Sequence, residues 1–336
     1  MNKCILVTGG SGYIGSHTIV SLLGNGYDVI SLDNYSNSNK KVYDRIRKIT
    51  KKPFEIYDAD MRNIDELDTI FTENTDIQAV IHFAGLKAVG KSVDNPLLYY
   101  ENNVVGTMNL LKIMDKYNIK TLIFSSSATV YSPDNTMPVN ETSKVGPINP
   151  YGRTKLIIEQ ICKDIYHSDK SWNFVMLRYF NPVGAHRSGL IGEDPTGIPN
   201  NLMPYILQVM TSKLPCLSVY GKDYDTPDGT GVRDFIHVTD LAEGHVAALQ
   251  LENPGYEIFN LGTGKGYSVL NMIKEMEDVS DMKITYRFTK RREGDVGTVY
   301  TNTEKADTIL NWSAKLTLRD MCEDAWNWKK RNVNGY

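Results

Sequence analysis

The run Thr8-Gly9-Gly10-Ser11-Gly12-Tyr13-Ile14-Gly15 constrains this chain more than any other stretch. It follows a β-rich segment, Ile5–Thr8, and opens a helical pattern over Gly12–Asn25. Gly10, Gly12 and Gly15 satisfy G-x-G-x-x-G, while Gly9, Gly12 and Gly15 satisfy G-x-x-G-x-x-G. Such glycines permit a tight turn and close backbone approach, so that helix N-terminal N–H groups face a pyrophosphate. Taken alone the cluster reads equally as turn glycines. The strand before it, the helix after it and Asp33 ending the next strand give the context a dinucleotide site needs. Asp33 suits a ribose 2′-OH and would repel a 2′-phosphate, which favours NAD over NADP. Asp60, closing the third strand, is a candidate adenine contact or simply a solvated carboxylate.

The segments Ile5–Thr8, Asp28–Leu32, Phe54–Tyr57, Ala79–Phe83, Thr121–Ser125 and Phe174–Leu177 read as strands. Their near-continuous apolar content fits strands buried on both faces, as in a parallel sheet. Helical patterns lie between them at Gly12–Asn25, Lys40–Thr50, Ile64–Glu73, Val104–Tyr117 and Tyr151–His167. This alternation predicts an α/β fold: a doubly wound parallel Rossmann sheet built from right-handed βαβ units. Residues 181–231 are rich in Pro, Gly, Asn and Asp and read as loop-heavy. Order returns in a strand at Phe235–Val238, a helix at Leu241–Leu251 and a strand at Ile258–Leu261. A helix at Val269–Val279, a strand at Ile284–Phe288 and a helix near Leu318–Arg331 follow. The expected division is a dinucleotide domain, 1–180 with 232–262, and a smaller mixed α/β substrate domain, 181–231 with 263–336.

Composition removes several classes. With 336 residues, 41% hydrophobic and 23% charged, the chain has the makeup of a packed globular protein. A net charge of −3 argues against a nucleic-acid partner. Cys4, Cys162, Cys216 and Cys322 are too dispersed for a zinc knuckle or redox pair, so reduced thiols and a cytoplasmic location are expected. The six histidines form no metal-spaced pair, and no metal is expected. No signal peptide is recognisable, and no apolar run approaches the ~20 residues of a membrane span.

Tyr151-Gly152-Arg153-Thr154-Lys155 puts a phenol and an ammonium four residues apart, on one face of a helix start. A free phenol titrates near about 10 and is a poor base at neutral pH. A nearby Lys⁺ and a cationic nicotinamide would favour the phenolate. Ser125-Ser126-Ser127 follows the fifth strand, at the carboxyl edge where ligands bind in such sheets.

With these residues in place, the chain resembles the extended short-chain dehydrogenase/reductase family, and within it the UDP-glucose 4-epimerases, along essentially its whole length. The matching segments are Gly9–His17, His82–Gly90, Asn102-Asn103-Val104, Phe124–Tyr131, Pro150–Lys155, Arg178–His186, Gly192–Leu207, Asp228–Val238 and Arg291–Asp295. The resemblance implies that Ser127, Tyr151 and Lys155 form the catalytic set. It implies an NAD site lined by Gly9, Gly12, Tyr13, Ile14, Gly15, Asp33, Asn34, Asp60, Met61, Phe83, Ala84, Gly85, Lys87, Asn102, Ser125 and Tyr179, with Tyr151 and Lys155 alongside. The UDP-sugar would meet Lys87, Ser127, Ala128, Thr129, Tyr151, Phe180, Asn181, Asn201, Leu202, Val219, Tyr220, Arg233, Arg292, Asp295 and Val299. Arg233 and Arg292 suit a diphosphate because a guanidinium binds such oxygens bidentately.

The implied chemistry is transient oxidation at sugar carbon 4, with return of hydride to the opposite face. A 4,6-dehydratase would need an acid/base pair beside the catalytic hydroxyl, but Ser127-Ala128-Thr129-Val130 contains no carboxylate. A silent NAD-binding regulator would have no use for an activated phenol. Ser132 stands where the family usually has Gly. Val299 stands where epimerases restricted to glucose and galactose carry Tyr, which suggests that N-acetylated UDP-sugars are accepted unless Tyr300 fills that place. A homodimer through the helices of Val104–Tyr117 and Tyr151–His167 is expected by resemblance.

Overall fold

The computed structural model describes residues 3–195, 197, 199–292 and 295–336. Thr196, Ile198, Glu293 and Gly294, inside two of the segments that carry the resemblance, lie outside the described residues. Contacts divide the chain into two units, the first comprising residues 1–134, 141–179 and 242–259.

In the first unit β1 (Cys4–Thr8), α1 (Tyr13–Gly24), β2 (Asp28–Asp33), α2 (Lys41–Thr50), β3 (Glu55–Asp58), α3 (Ile64–Glu73) and β4 (Ile77–His82) alternate strictly. Two short helices, α4 (Val89–Asp94) and α5 (Pro96–Tyr99), lead through a π-helical turn at Tyr100–Val105 into α6 (Gly106–Lys116). β5 (Thr121–Ser127), α7 (Pro150–Ser168) and β6 (Asn173–Tyr179) complete the pattern. The sheet runs Tyr256–Leu261, β6, β5, β4, β1, β2, β3, and β1 to β6 pair in parallel. The chain passes outward from β1 to β3, then crosses to β4 on the other side of β1. Strand order therefore reverses between β1 and β4, and ligands of such sheets bind outside the carboxyl ends at that point.

The apolar runs take this form because both faces of the sheet are covered. All five residues of β1 are buried. On one face Leu6, Ile30, Val80, Leu122, Phe124 and Phe174 pack with Leu67 and Phe71 of α3, Leu110 and Met114 of α6, and Ile158 and Cys162 of α7. Full burial of each large side chain contributes about 1.5–3 kcal/mol. The helix starts are fixed locally. Asn63 caps α3 by accepting from the N–H groups of Asp65 and Glu66, and Asn149 caps α7 by accepting from Gly152 N–H. Pro150 then occupies the first position of α7, where a missing N–H costs nothing.

The second unit comprises residues 135–140, 180–241 and 260–336. Among the described residues it holds three small sheets. Asn181–Val183 pairs with Phe235–His237, Leu217–Tyr220 with Tyr286–Thr289, and Val232–Arg233 lies between Tyr267–Ser268 and Thr298–Val299. Helices Leu202–Met210, Val269–Ser280 and Leu318–Arg331 share its core, among them Met203, Ile206, Met272, Met276, Met321 and Cys322. The loop-heavy reading of 181–231 is corrected by the helix Leu202–Met210 and the strand Leu217–Tyr220. Met203, Ile206, Leu207 and Met210 recur at helical spacing. Pro204 sits in the first turn of that helix, where it is tolerated. Ser125, Ser126 and Ser127 are the last residues of β5 rather than a segment following it. Among the described residues, no helix is long and apolar enough to cross a membrane and no acidic, His or Cys group is arranged to hold a metal.

Candidate active site

At the switch point the glycine loop leaves β1 and turns into α1. Gly9 adopts φ +70°, and a Cβ there would stand 2.7 Å from Ala84 N. A Cβ on Gly15 would stand 2.3 Å from the Gly9 carbonyl oxygen. Side chains are therefore barred at Gly9 and Gly15 by sterics, so that backbone lines this part of the loop. Gly12 caps α1 in extended conformation without a side-chain bond, and the first turn carries no acidic residue. The opening N–H groups of a helix lack partners within it, and those at Ile14 and Gly15 are of this kind. With the positive end of the helix dipole behind them they fit a diphosphate.

Asp33 ends β2 and is 8% exposed. Its carboxylate accepts from Ser11 N–H at 3.0 Å, Tyr35 N–H at 2.9 Å and the Ser38 hydroxyl at 3.1 Å, which locks its orientation beside the loop. Asp60 is bound on both oxygens by Arg62, at 2.9 and 2.7 Å, and accepts from Asn34 at 3.0 Å. These bonds hold its carboxyl well below the usual range. Asp60 is thus an ion-pair partner first. Met61 is buried, and Gly106 packs against it.

Beyond β4, Phe83 N–H donates to Thr8 O at 3.0 Å and Ala84 N–H to the Thr8 hydroxyl at 3.3 Å, which fastens this loop to the end of β1. Asn103 clamps the loop further, accepting from Leu86 N–H at 2.8 Å and donating to Leu86 O at 3.0 Å. Asn102 donates to Asn103, and a Cβ on Gly85 would press on the Asn103 amide. The sequence reading named Asn102 as a ligand residue and gave Asn103 no role. Lys87 is exposed.

Tyr151 and Lys155 lie one turn apart on α7, the ammonium 5.8 Å from the phenol ring centroid. Lys155 Nζ donates to Ser125 O at 2.6 Å and sits 4.8 Å over the Phe124 ring. Its pKa falls to about 7 because burial disfavours the charge, with Glu159 opposing that fall. Burial pushes Tyr151 up to about 12, and a hydrogen bond with Ser127 pulls the other way. The sequence reading looked to Lys155 together with a cationic nicotinamide to favour the phenolate; in the protein's own field burial is the largest influence on the phenol. Ser127 Oγ accepts from Thr129 N–H at 3.2 Å and Thr129 Oγ1 at 3.0 Å, holding Ala128–Val130 in a tight turn. The Tyr179 hydroxyl donates to Ser125 Oγ. One end of β5 and one face of α7 therefore carry Ser125, Ser127, Tyr151 and Lys155 together.

In the second unit Arg292 donates to Asp295 at 2.9 Å and lies 4.8 Å over the Tyr220 ring. Arg233 donates to the carbonyls of Val232 and Gly297, at 2.9 and 3.3 Å; burial lowers its pKa while Asp295 raises it. Val299 pairs with Arg233 across the small sheet. The Tyr300 carbonyl accepts from Val139 N–H at 3.1 Å, and its ring lies beside Gly266. Arg233, Arg292, Asp295, Tyr220 and Val299 form one group. Asn201 stands before the helix that Leu202 begins, makes no side-chain capping bond there, and donates to Glu193 at 2.9 Å. Phe180 and Val219 are buried, and Asn181 starts an exposed strand end.

The pattern of the "NAD dependent epimerase/dehydratase family" matches residues 5–262. The UDP-glucose 4-epimerase of Bacillus subtilis (strain 168) is 55% identical over 99% of this chain and 98% of its own length. That of Dictyostelium discoideum is 53% identical over 99% and 97%. The structure of the Bifidobacterium longum UDP-glucose 4-epimerase, in complex with NAD+ and UDP, superposes with a TM-score of 0.96 at 52% identity, covering 99% of this chain and 100% of that one. On its glycine cradle, its Tyr-x-x-x-Lys helix and these full-length matches, the chain belongs to the NAD dependent epimerase/dehydratase family, and within it to the UDP-glucose 4-epimerases.

Proposed function

We propose that this chain interconverts UDP-glucose and UDP-galactose by transient oxidation at carbon 4 of the hexose, with NAD as bound cofactor. The observation that carries the reading is the convergence of Tyr151, Lys155 and Ser127 at the carboxyl edge of a sheet whose glycine cradle fits a diphosphate. NAD, when bound, supplies the hydride acceptor and, in its oxidised form, a positive charge near the phenol.

Tyr151 as phenolate takes the proton of the sugar 4-hydroxyl and returns it at the end of the cycle. Ser127 hydrogen-bonds the same oxygen and the phenol. Lys155, fixed through Ser125, holds a ribose hydroxyl and stabilises the phenolate, while the phenolate in turn favours the charged ammonium. The N–H groups of Ile14 and Gly15 hold the cofactor diphosphate, Asp33 its adenosine ribose, and Phe83, Ala84, Gly85, Lys87, Asn102 and Tyr179 flank the remainder. Arg233 and Arg292 anchor the UDP diphosphate, Asp295 the uridine ribose, and Tyr220 stands near the uracil. Asn181 and Val299 face the sugar. Val299, smaller than Tyr, leaves room for an N-acetyl group.

The expected assembly is a cytoplasmic homodimer. Its support is an exposed apolar run on the helices before and within α6: Val93 is 61% exposed, Leu97 81% and Leu98 46%, followed by Val105 and Met108. A stretch of this kind marks a contact surface, here for a second copy of the chain.

The deciding experiment follows UDP-galactose conversion by the purified protein and its Tyr151→Phe variant. Loss of the phenolic oxygen lowers kcat by about 10²-fold or more. Near-parental turnover in the variant overturns the assignment.

A further inference from the structure

Three residues of α7, each four positions after the last, dock on three consecutive serines of β5. Tyr151 hydrogen-bonds Ser127, Lys155 donates to the Ser125 carbonyl, and Glu159 accepts from the Ser126 hydroxyl at 2.5 Å. Sequence analysis assigned nothing to the third pair. Both oxygens of Glu159 are also gripped by Arg178 of β6, Nε donating to Oε1 at 2.8 Å and Nη2 to Oε2 at 2.5 Å. Both side chains are 3% exposed. Arg178 is itself held over the Tyr131 ring, and Tyr256 donates to the Glu159 carbonyl at 3.0 Å.

We propose that Ser126, Glu159 and Arg178 form a positioning unit for Lys155, fixing α7 against β5 and setting the negative charge that keeps the ammonium ionised in the catalytic state; this rests on the functional reading above.

A buried ion pair is a poor way to gain stability, since removing two ions from water offsets most of their attraction and apolar replacements of similar volume often serve as well. What the pair provides here is an orientation and a field. The groups facing Lys155 are Tyr151 and Glu159 from α7, the Phe124 ring and Ser125 carbonyl from β5, and His82 from β4, with Arg178 of β6 behind Glu159. Burial first, and then the charge of Lys155, holds His82 neutral, with a pKa of about 3. Glu159 is the anion of this set, and it opposes the burial that would discharge Lys155.

The test compares the parent holoenzyme with a Glu159→Gln/Arg178→Met double variant, which leaves neither member of the ion pair behind as an unpaired charge, and with Ser126→Ala, which keeps the ion pair. Measured are kcat and KM for UDP-galactose from pH 6 to 9, dinucleotide content, and the Lys155 titration by ¹³C-lysine NMR assigned with Lys155→Met. In the double variant kcat falls about tenfold with KM within about twofold. The alkaline limb of the kcat profile and the Lys155 midpoint both move to lower pH, by about one unit. Ser126→Ala lowers kcat about threefold at unchanged KM. A folded double variant with parental kcat and an unmoved Lys155 midpoint overturns the proposal. Should the double variant not fold, parental kcat in Ser126→Ala overturns it and the threefold loss upholds it. An inactive parent would instead remove the functional reading, and the NMR midpoint would still report on the positioning unit.

Discussion

Helix α1 contains two glycines whose replacement by alanine separates backbone propensity from steric exclusion. On propensity alone either change favours the folded state by up to about 1 kcal/mol. Nothing lies within 4 Å of a Cβ at Gly24, near the end of the helix, so Gly24→Ala keeps that gain. At Gly15 the added carbon meets the Gly9 carbonyl oxygen at 2.3 Å and Gly10 Cα at 3.0 Å. Restoring ordinary contact requires the loop to retreat by about 1 Å, and overpacking of this kind costs about 1–3 kcal/mol, which reverses the sign. The retreat also moves the N–H groups meant for the diphosphate. Each hydrogen bond to a charged group is worth about 1.5–3 kcal/mol, so losing two lowers dinucleotide affinity by about 10²–10⁴-fold. The assay pairs urea unfolding with the dinucleotide released per chain on denaturation. Gly24→Ala is expected to match or exceed the parent in both, while Gly15→Ala loses stability and arrives largely free of dinucleotide. A Gly15→Ala protein with parental midpoint and full dinucleotide refutes the reasoning about the cradle.

Further outcomes follow from other residues. Lys155 has a folded-state pKa of about 7, below its ordinary value of 10.5, so the cost of burying its charge is fully present below pH 7 and is relieved as pH rises towards the unfolded value. In cofactor-free protein the parent should gain on Lys155→Met by about 1 kcal/mol per pH unit between pH 7 and 9, read from urea unfolding at each pH. The parent is expected to turn over UDP-GalNAc, and Val299→Tyr to reduce that activity by more than about tenfold while sparing UDP-galactose; undetectable UDP-GalNAc turnover in the parent counts against the role given to Val299. Leu97→Glu, placed on the most exposed of the apolar side chains, should shift the mass in analytical ultracentrifugation from dimer to monomer.

The first unit was readable because strands buried on both faces leave uninterrupted apolar runs. The helical patterns Ile64–Glu73 and, in the second unit, Leu318–Arg331 begin where the structure begins them, behind Asn63 and Thr317, whose capping roles only the structure shows. The strands Val232–Arg233 and Thr298–Val299 are too short to show any period. The helix Leu202–Met210 was hidden by the asparagines and prolines around it. The chemistry-bearing pair Tyr151 and Lys155 could be put on one helix face from spacing alone. Asn103, Glu159 and Arg178 could not be given roles, because their partners Leu86, Ser126 and each other lie far away in sequence. The balance of charge at Tyr151 was also out of reach. Spacing shows that an ammonium is near the phenol, and only the packing around both reveals how strongly burial opposes ionisation.

The first unit's sheet does not close where its alternating pattern ends. Its outermost strand beside β6 comes from Tyr256–Leu261, after a long excursion of the chain through the second unit. A chain growing on the ribosome therefore passes through a stage in which β6 has been made but its outer neighbour has not. The Phe174 amide, which ends up donating to Gly255 O, waits through that interval without its final acceptor. An open strand edge is a template for mispairing with other chains. Fragments cut after β6 should accordingly aggregate, and the intervening unit, whatever it binds, delays completion of the fold that precedes it.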